Sequence, residues 1–89
     1  MYNYFMIIGK FKNYNEETRE ATLELLPDFP NQYGERIPYE LVVCIPEMLN
    51  SLFIDNDFTN KRLGVKGRMV PHSTWCALYA ERIMFLGEK

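Results

Sequence analysis

Lysines and arginines alternate with other residues in two segments of this chain, and this pattern can bind phosphate. Lys10 and Lys12 lie two residues apart near the start, and Lys66 and Arg68 have the same spacing later in the chain. Side chains two residues apart in a β-strand point to the same face. Each pair would therefore give one face of a strand two positive charges, although the solvated face of any half-exposed strand shows the same alternation.

Aromatic residues make up 15% of the chain and include six tyrosines and a single tryptophan. An exposed ring gives a flat surface on which a nucleobase can stack. Trp75 follows the polar residues Ser73 and Thr74, which favours an exposed ring, while core burial is the common alternative for a tryptophan in a small domain. Tyr14 and Tyr79 are further stacking candidates. Cations together with exposed rings are what a protein needs to bind single-stranded nucleic acid.

Residue types that carry out catalysis or bind metals are few and poorly spaced. The single histidine, His72, has no carboxylate or nucleophile at a suggestive spacing, so we interpret it as a surface residue. Cys44 and Cys76 lack the CxxC spacing of a zinc site, and we expect both to be small buried residues in a reducing compartment. The glycines have no phosphate-loop context. The sequence thus predicts no enzyme, no metal and no cofactor.

Charge is distributed unequally along the chain, although the net charge of −2 does not favour a polyanion partner. Residues 1–56 carry four basic and nine acidic side chains, and residues 57–89 carry six basic and three acidic ones. Such asymmetry can polarise the surface of a small fold. The candidate phosphate-binding residues are Lys10, Lys12, Lys61, Arg62, Lys66 and Arg68.

The length and composition of the chain limit the classes of fold that it can adopt. With 89 residues, 47% hydrophobic and 25% charged, the chain matches one globular domain covering residues 1–89. A signal peptide and an apolar run long enough to span a membrane are both absent from the sequence, so we expect a cytoplasmic protein. A domain this small gains stability from a partner subunit.

Hydrophobic patterning and residue composition predict five strands and one short helix. The helix would run from Pro46 to about Phe53, because the first helical position tolerates the missing N–H of proline, and would bury an apolar face made by Met48, Leu49, Leu52 and Phe53. The residues from 27 to 38 contain three prolines and a glycine and predict a loop. The predicted strands cover residues 3–13 with a bend or bulge at Gly9, 20–26, 39–45, 62–70 and 75–86.

The predicted element order is β-β-β-α-β-β, which is the order of the OB-fold, a five-stranded Greek-key barrel. Two segments are ambiguous by propensity, since a helix could begin near Thr18 or cover residues 77–86. In an OB barrel the first and fourth strands are neighbours. The cations at Lys10, Lys12, Lys66 and Arg68 would then form one patch.

The same segments resemble bacterial single-stranded DNA-binding proteins. The stretch FMIIGKFKNY (Phe5–Tyr14) is similar to the first strand of that family, and KRLGVKGRMV (Lys61–Val70) to its fourth strand, which ends in a Gly-Arg-hydrophobe step. YAERIMFL (Tyr79–Leu86) resembles the final strand, which favours strand over helix there. VVCIPE (Val42–Glu47) also resembles the primosomal replication protein of the same fold. The resemblance implies DNA-binding roles for Lys10, Lys66, Arg68 and Trp75.

Three features depart from the family pattern. The third strand ends in Cys44, Ile45 and Pro46 where the family has an aromatic residue and a glycine. The connection between the last two strands is short, so we expect only a small β-arm. The family's flexible acidic tail has no counterpart in these 89 residues, and we expect no docking peptide of that kind.

Taken together, the residues and the resemblance predict a homo-oligomeric OB-fold protein, a dimer or tetramer, that binds single-stranded DNA and supports replication, recombination or repair. The first strand is apolar on both faces, with Tyr4, Met6 and Ile8 opposite Phe5, Ile7 and Phe11, which indicates that a partner subunit covers the outer face and that assembly is built around residues 1–8. Two alternatives stay open, namely RNA as the ligand and an OB-fold protein-interaction module that binds no nucleic acid.

Overall fold

The computed structural model describes residues 3–88, which form five strands and one helix in the predicted order. The last segment is a strand, as the resemblance implies, and the segment after residue 20 is also a strand. Within these residues no helix is both long and apolar enough to cross a membrane. The elements are β1 (Tyr4–Asn15), β2 (Glu20–Leu25), β3 (Tyr39–Cys44), α1 (Glu47–Asp55), β4 (Lys61–Pro71) and β5 (Cys76–Glu88).

The five strands close into a barrel in the order β1-β2-β3-β5-β4. Strand β1 is long enough to serve two neighbours, because residues 10–15 pair with β2 and residues 4–10 pair with β4. All neighbours are antiparallel except β3 and β5, which meet in a short parallel contact at Cys44 and Tyr79. This closed five-stranded barrel, with its helix between β3 and β4, confirms the predicted OB-fold.

The barrel interior is filled by branched aliphatic side chains, and helix α1 covers one end of it. Leu23, Val43, Leu63 and Val65 are fully buried. From the helix, Phe53 stacks on Phe11 with ring centroids 5.6 Å apart, and Leu49 and Leu52 pack against the same core.

The helix itself differs from the prediction in two details. It begins at Glu47 with Pro46 as the N-cap and ends at Asp55. Met48, predicted to lie on the buried face, is 83% exposed. The apolar side chains that face the barrel are those at positions 49, 52 and 53, a single narrow apolar stripe on a helix of nine residues.

The irregularity in β1 occurs at a different residue from the one predicted. Gly9 pairs regularly with Leu63 and is buried. A Cβ at this position would approach the side chain of Leu25 to 2.7 Å, so the glycine permits close packing. The register shifts instead between Phe11 and Asn13, where Lys12 is the extra residue of a β-bulge.

Candidate nucleic-acid interface

Strands β1, β4 and β5 together present five cations on the outside of the barrel. Cross-strand pairing places Lys10 opposite Arg62 and Lys66 opposite Arg82. Arg68 lies two residues beyond Lys66 on β4, so the two side chains lie on the same face of the strand. All five side chains are exposed. We call this surface the basic face, defined by Lys10, Arg62, Lys66, Arg68 and Arg82.

Lys12 does not join the basic face, contrary to the prediction that it shares a face with Lys10. The bulge at Lys12 breaks the alternation of side chains along β1. Lys10 borders a depression with Arg62, whereas Lys12 borders another depression beside helix α1 with Asp57 and Phe58. The predicted patch of four cations therefore contains Lys10, Lys66 and Arg68 but not Lys12.

Lys61 also lies at the edge of the barrel rather than on the basic face. Its ammonium group is 5.8 Å from the ring centroid of Phe85, within the range of a cation–π contact. Its backbone N–H donates to the carbonyl of Phe58 at 2.8 Å. These contacts hold Lys61 half-buried between Phe85 of β5 and Phe58 of the segment that precedes β4.

Arg68 is the one cation of the basic face that forms an ion pair within residues 3–88. Its Nε lies 2.7 Å from Oε2 of Glu81, and both side chains are largely exposed. An exposed ion pair of this kind contributes about 0–1 kcal/mol to stability. A phosphate could therefore replace the carboxylate of Glu81 at little cost.

Trp75 lies at the tip of the β4–β5 hairpin and is 61% exposed, so it is not a core residue. Its ring stacks on the imidazole of His72 with centroids 4.2 Å apart and planes 11° apart. The backbone N–H of His72 donates to the carbonyl of Trp75 at 2.7 Å and closes the turn. The hairpin thus orients the indole outside the barrel while much of its surface remains available for a base.

The two tyrosines predicted to stack bases differ in their surroundings. Tyr79 is 41% exposed and lies opposite Arg68 on the neighbouring strand, so it can contact a ligand on the basic face. Tyr14 packs its ring on Phe53 with centroids 5.0 Å apart, and its hydroxyl donates to Oδ1 of Asn50. Burial is the main cause that raises the pKa of Tyr14. Tyr14 therefore supports the helix, and its half-buried ring is less accessible to a base than the ring of Trp75.

The outer face of β2 and β3 carries carboxylates. Glu24 lies opposite Glu40, and Glu20 lies opposite Cys44, whose pKa is raised by burial and by the charge of Glu20. In OB-folds this face, together with the β1–β2 and β4–β5 loops, commonly binds oligonucleotides. Here its negative charge repels phosphate. The predicted asymmetry between the acidic first part and the basic second part of the chain thus becomes two adjoining surfaces, which meet where Lys10 on β1 lies opposite Glu24 on β2.

Two residues of the candidate interface were missed from the sequence, and one prediction about the cysteines was wrong. Arg82 was not selected, because its position opposite Lys66 depends on a bulge at Glu81 that periodicity does not reveal. His72 was correctly placed on the surface, but its stacking on Trp75 was not predicted. Cys76 is exposed rather than buried, and Cys44 is half-buried.

Comparisons with known proteins give matches by structure only. No protein-family model matches the sequence, and a search of curated proteins finds no significant match. Among solved structures, the mitochondrial single-stranded DNA-binding protein Rim1 of S. cerevisiae aligns over 100% of this chain and 99% of its own, with a TM-score of 0.72 and 13% identity.

Two further structures have the same architecture. The single-stranded DNA-binding protein of Plasmodium falciparum, solved with single-stranded DNA, has a TM-score of 0.60 at 14% identity and aligns over 97% of this chain and 96% of its own. The corresponding domain of a Synechococcus protein has a TM-score of 0.58 at 16% identity, over 94% and 96%. The chain has the fold of the single-stranded DNA-binding proteins. At these identities the likeness establishes the fold and not the ligand.

Proposed function

We propose that this protein binds single-stranded DNA and catalyses no reaction. The observation that carries the proposal is the basic face together with the exposed ring of Trp75, which lies at the tip of the hairpin formed by the same strands β4 and β5. Cations that follow a backbone and rings on which bases stack are the two components of such binding. Solved structures with the same fold include a single-stranded DNA complex, which supports this choice of ligand.

In the proposed complex, the residues of the basic face neutralise phosphates, and Trp75 and Tyr79 stack bases. Lys12 and Lys61 lie outside this face and would contribute only at its edges. The protein would act in the cytoplasm as one domain, as an accessory to DNA replication, recombination or repair. It would assemble as a dimer or tetramer through the exposed outer side chains of β1. Because Met6 lies opposite Lys66, the partner subunit would border the basic face, and the strand would follow the part of that face nearest the β4–β5 hairpin. RNA could occupy the same surface, since nothing in it recognises a 2′-hydroxyl specifically.

The proposal is tested by titrating the protein with oligo-dT while following the fluorescence of Trp75, the only tryptophan. We expect quenching on binding and an affinity that falls as salt rises, because each neutralised phosphate releases counterions. Absence of binding at low salt would contradict the proposal.

A second candidate function is favoured by the acidic face of β2 and β3. Three carboxylates, at Glu20, Glu24 and Glu40, would suit a basic protein partner rather than a nucleic acid. In this alternative the barrel is a protein-interaction module that binds no DNA. The oligo-dT titration distinguishes the two functions, because a module of this kind would leave the fluorescence of Trp75 unchanged.

A further inference from the structure

His72 and Trp75 face each other across the turn that joins β4 to β5. The ladder between these strands ends at the pair formed by Pro71 and Cys76. One step further out, the backbone N–H of His72 donates to the carbonyl of Trp75 at 2.7 Å. Side chains of residues that lie opposite each other on antiparallel strands are close enough to interact. The register of the hairpin therefore brings these two rings together.

The contact between the two rings covers one face of the indole. The ring centroids are 4.2 Å apart and the planes differ by 11°, so the imidazole lies flat on the indole. Trp75 is nevertheless 61% exposed. The exposed surface of the indole is therefore mainly its opposite face and its edges, and a base can stack on that opposite face.

The imidazole is not needed to close the turn. The hydrogen bond that closes it comes from the backbone N–H at position 72, which every residue except proline can donate. The ring of His72 has a separate effect on the side chain of Trp75. An exposed side chain loses conformational entropy when a ligand fixes it. Here the stack restricts the indole before any ligand binds, because rotation of the indole would break the ring contact.

The tip of the hairpin also lies away from the surface where a second subunit is expected. The ladder between β1 and β4 ends at Arg68, and the hairpin continues beyond it to the turn that contains His72. Met6 and Ile8, the residues expected to contact the partner, pair with Lys66 and Gly64 on the other side of that point. Assembly through β1 therefore leaves the two stacked rings accessible.

We propose that His72 is a positioning residue for base binding, whose imidazole holds the indole of Trp75 so that one base stacks on the opposite face. The inference rests on the proposed function and adds to it a role for His72. In the complex, the imidazole, the indole and the base form one continuous stack at the tip of the hairpin. His72 acts through Trp75 and does not itself contact the DNA strand.

The direct test is a double-mutant cycle with His72→Ala and Trp75→Ala, in which oligo-dT affinity is measured by anisotropy of a labelled oligonucleotide. His72→Ala removes the ring but keeps the backbone N–H of the turn. We expect it to weaken binding roughly two- to tenfold, the range that corresponds to one aromatic pair. In the Trp75→Ala background the same change should have no effect, because the ring that His72 positions is gone. Unchanged or tighter binding by His72→Ala would overturn the proposal.

Two further variants separate the ring of His72 from its capacity to carry a charge. His72→Phe keeps an aromatic ring that can stack on the indole, and we expect nearly wild-type affinity for oligo-dT. Ser73→Ala changes an exposed residue of the same turn and is the matched control, also with wild-type affinity. Two results would show that His72 contacts the DNA strand directly, and either one overturns the positioning role. They are weak binding by His72→Phe and additive losses in the double-mutant cycle.

A measurement on the free protein tests the ring contact without DNA. Acrylamide quenches the fluorescence of an indole more strongly when more of its surface is accessible, and Trp75 is the only tryptophan. We expect stronger quenching in His72→Ala than in the wild type, and no increase in His72→Phe or Ser73→Ala. Equal quenching in all four proteins would overturn the stack. Far-ultraviolet circular dichroism shows whether each variant is folded.

These measurements distinguish failure of the positioning role from failure of the proposed function. A wild type that binds no oligo-dT overturns both, even if the quenching data confirm that the two rings are in contact. A wild type that binds oligo-dT with an affinity that does not depend on His72 overturns the positioning role alone.

Discussion

At the scale of single residues, exposure separates the aromatic side chains that can bind a ligand from those that stabilise the fold. Trp75 rests on His72 outside the barrel, and Tyr14 rests on Phe53 against the helix. Both rings stack on a neighbour, but only Trp75 keeps most of its surface exposed. Substitutions at these two positions should therefore affect different properties.

Replacing Trp75 with alanine should weaken single-stranded DNA binding and leave folding nearly unchanged. The loss of one base–aromatic stack costs about 1–3 kcal/mol of binding free energy. Affinity for oligo-dT can be measured by fluorescence anisotropy of a labelled oligonucleotide, and stability by the melting temperature. Trp75→Phe keeps a ring and should lose less affinity. A large fall in melting temperature with unchanged affinity would mean that Trp75 acts in folding.

Replacing Tyr14 with alanine should have the opposite outcome. The ring contact with Phe53 and the hydrogen bond to Asn50 are both lost, and we expect the free energy of unfolding to fall by about 2–3 kcal/mol, below the ~3–5 of a fully buried aromatic. Tyr14→Phe removes only the hydrogen bond and should cost about 1 kcal/mol. Urea unfolding measures both, and reduced oligo-dT affinity in folded Tyr14→Phe would contradict the structural role of Tyr14.

At the scale of elements, the alternation of apolar and polar residues predicted strands such as β2, which has a buried and an exposed face. Leu23, for example, lies between Thr22 and Glu24 and is fully buried. The bulges could not be predicted this way, because the position of an extra residue in a strand depends on the pairing of that strand with its neighbouring strand. Lys12 and Glu81 are such residues. They account for the two main differences between the predicted and the observed basic surface.

The close approach of β4 and β5 gives a test at this scale. A Cβ at Gly67 would collide with the backbone of Tyr79, so Gly67→Ala must displace a strand. We expect a loss of at least ~1–3 kcal/mol in the free energy of unfolding, the usual cost of overpacking. Gly64→Ala is the matched control, because its nearest neighbour is the flexible end of Met84 at 3.1 Å. Equal stability of the two variants in urea would contradict the close approach.

At the scale of the whole molecule, the sequence predicted that the first part of the chain is acidic and the second part basic. It could not predict where these charges lie on the surface of the barrel. The closure of the barrel brings β1 next to both β2 and β4, so the basic face adjoins the carboxylates of β2 and β3 where Lys10 lies opposite Glu24. The OB-fold could be predicted from the order of the elements, whereas the residues of the basic face could be identified only from the register of each strand pair. Arg82 is the clearest example of a residue that only the register reveals.

The exposed apolar residues of β1 lead to a prediction about assembly. Met6 and Ile8 are about half exposed on the outer face of the barrel, where a second subunit can cover them. Light scattering at micromolar concentration should give the mass of a dimer or tetramer, and Ile8→Glu should shift it towards the monomer. Glu16→Gln, a change in the exposed β1–β2 turn, serves as the control. A monomeric wild type would contradict this assembly.

The central claim is that the molecule binds single-stranded DNA, and a comparison of one oligonucleotide with its own duplex tests it most directly. In a duplex the bases are stacked on one another and their faces are not available to Trp75 or Tyr79. Both affinities are measured at the same low salt concentration by anisotropy of the same labelled strand. We predict clearly tighter binding of the single strand. Equal affinity for both forms, or no binding to either, would contradict the account.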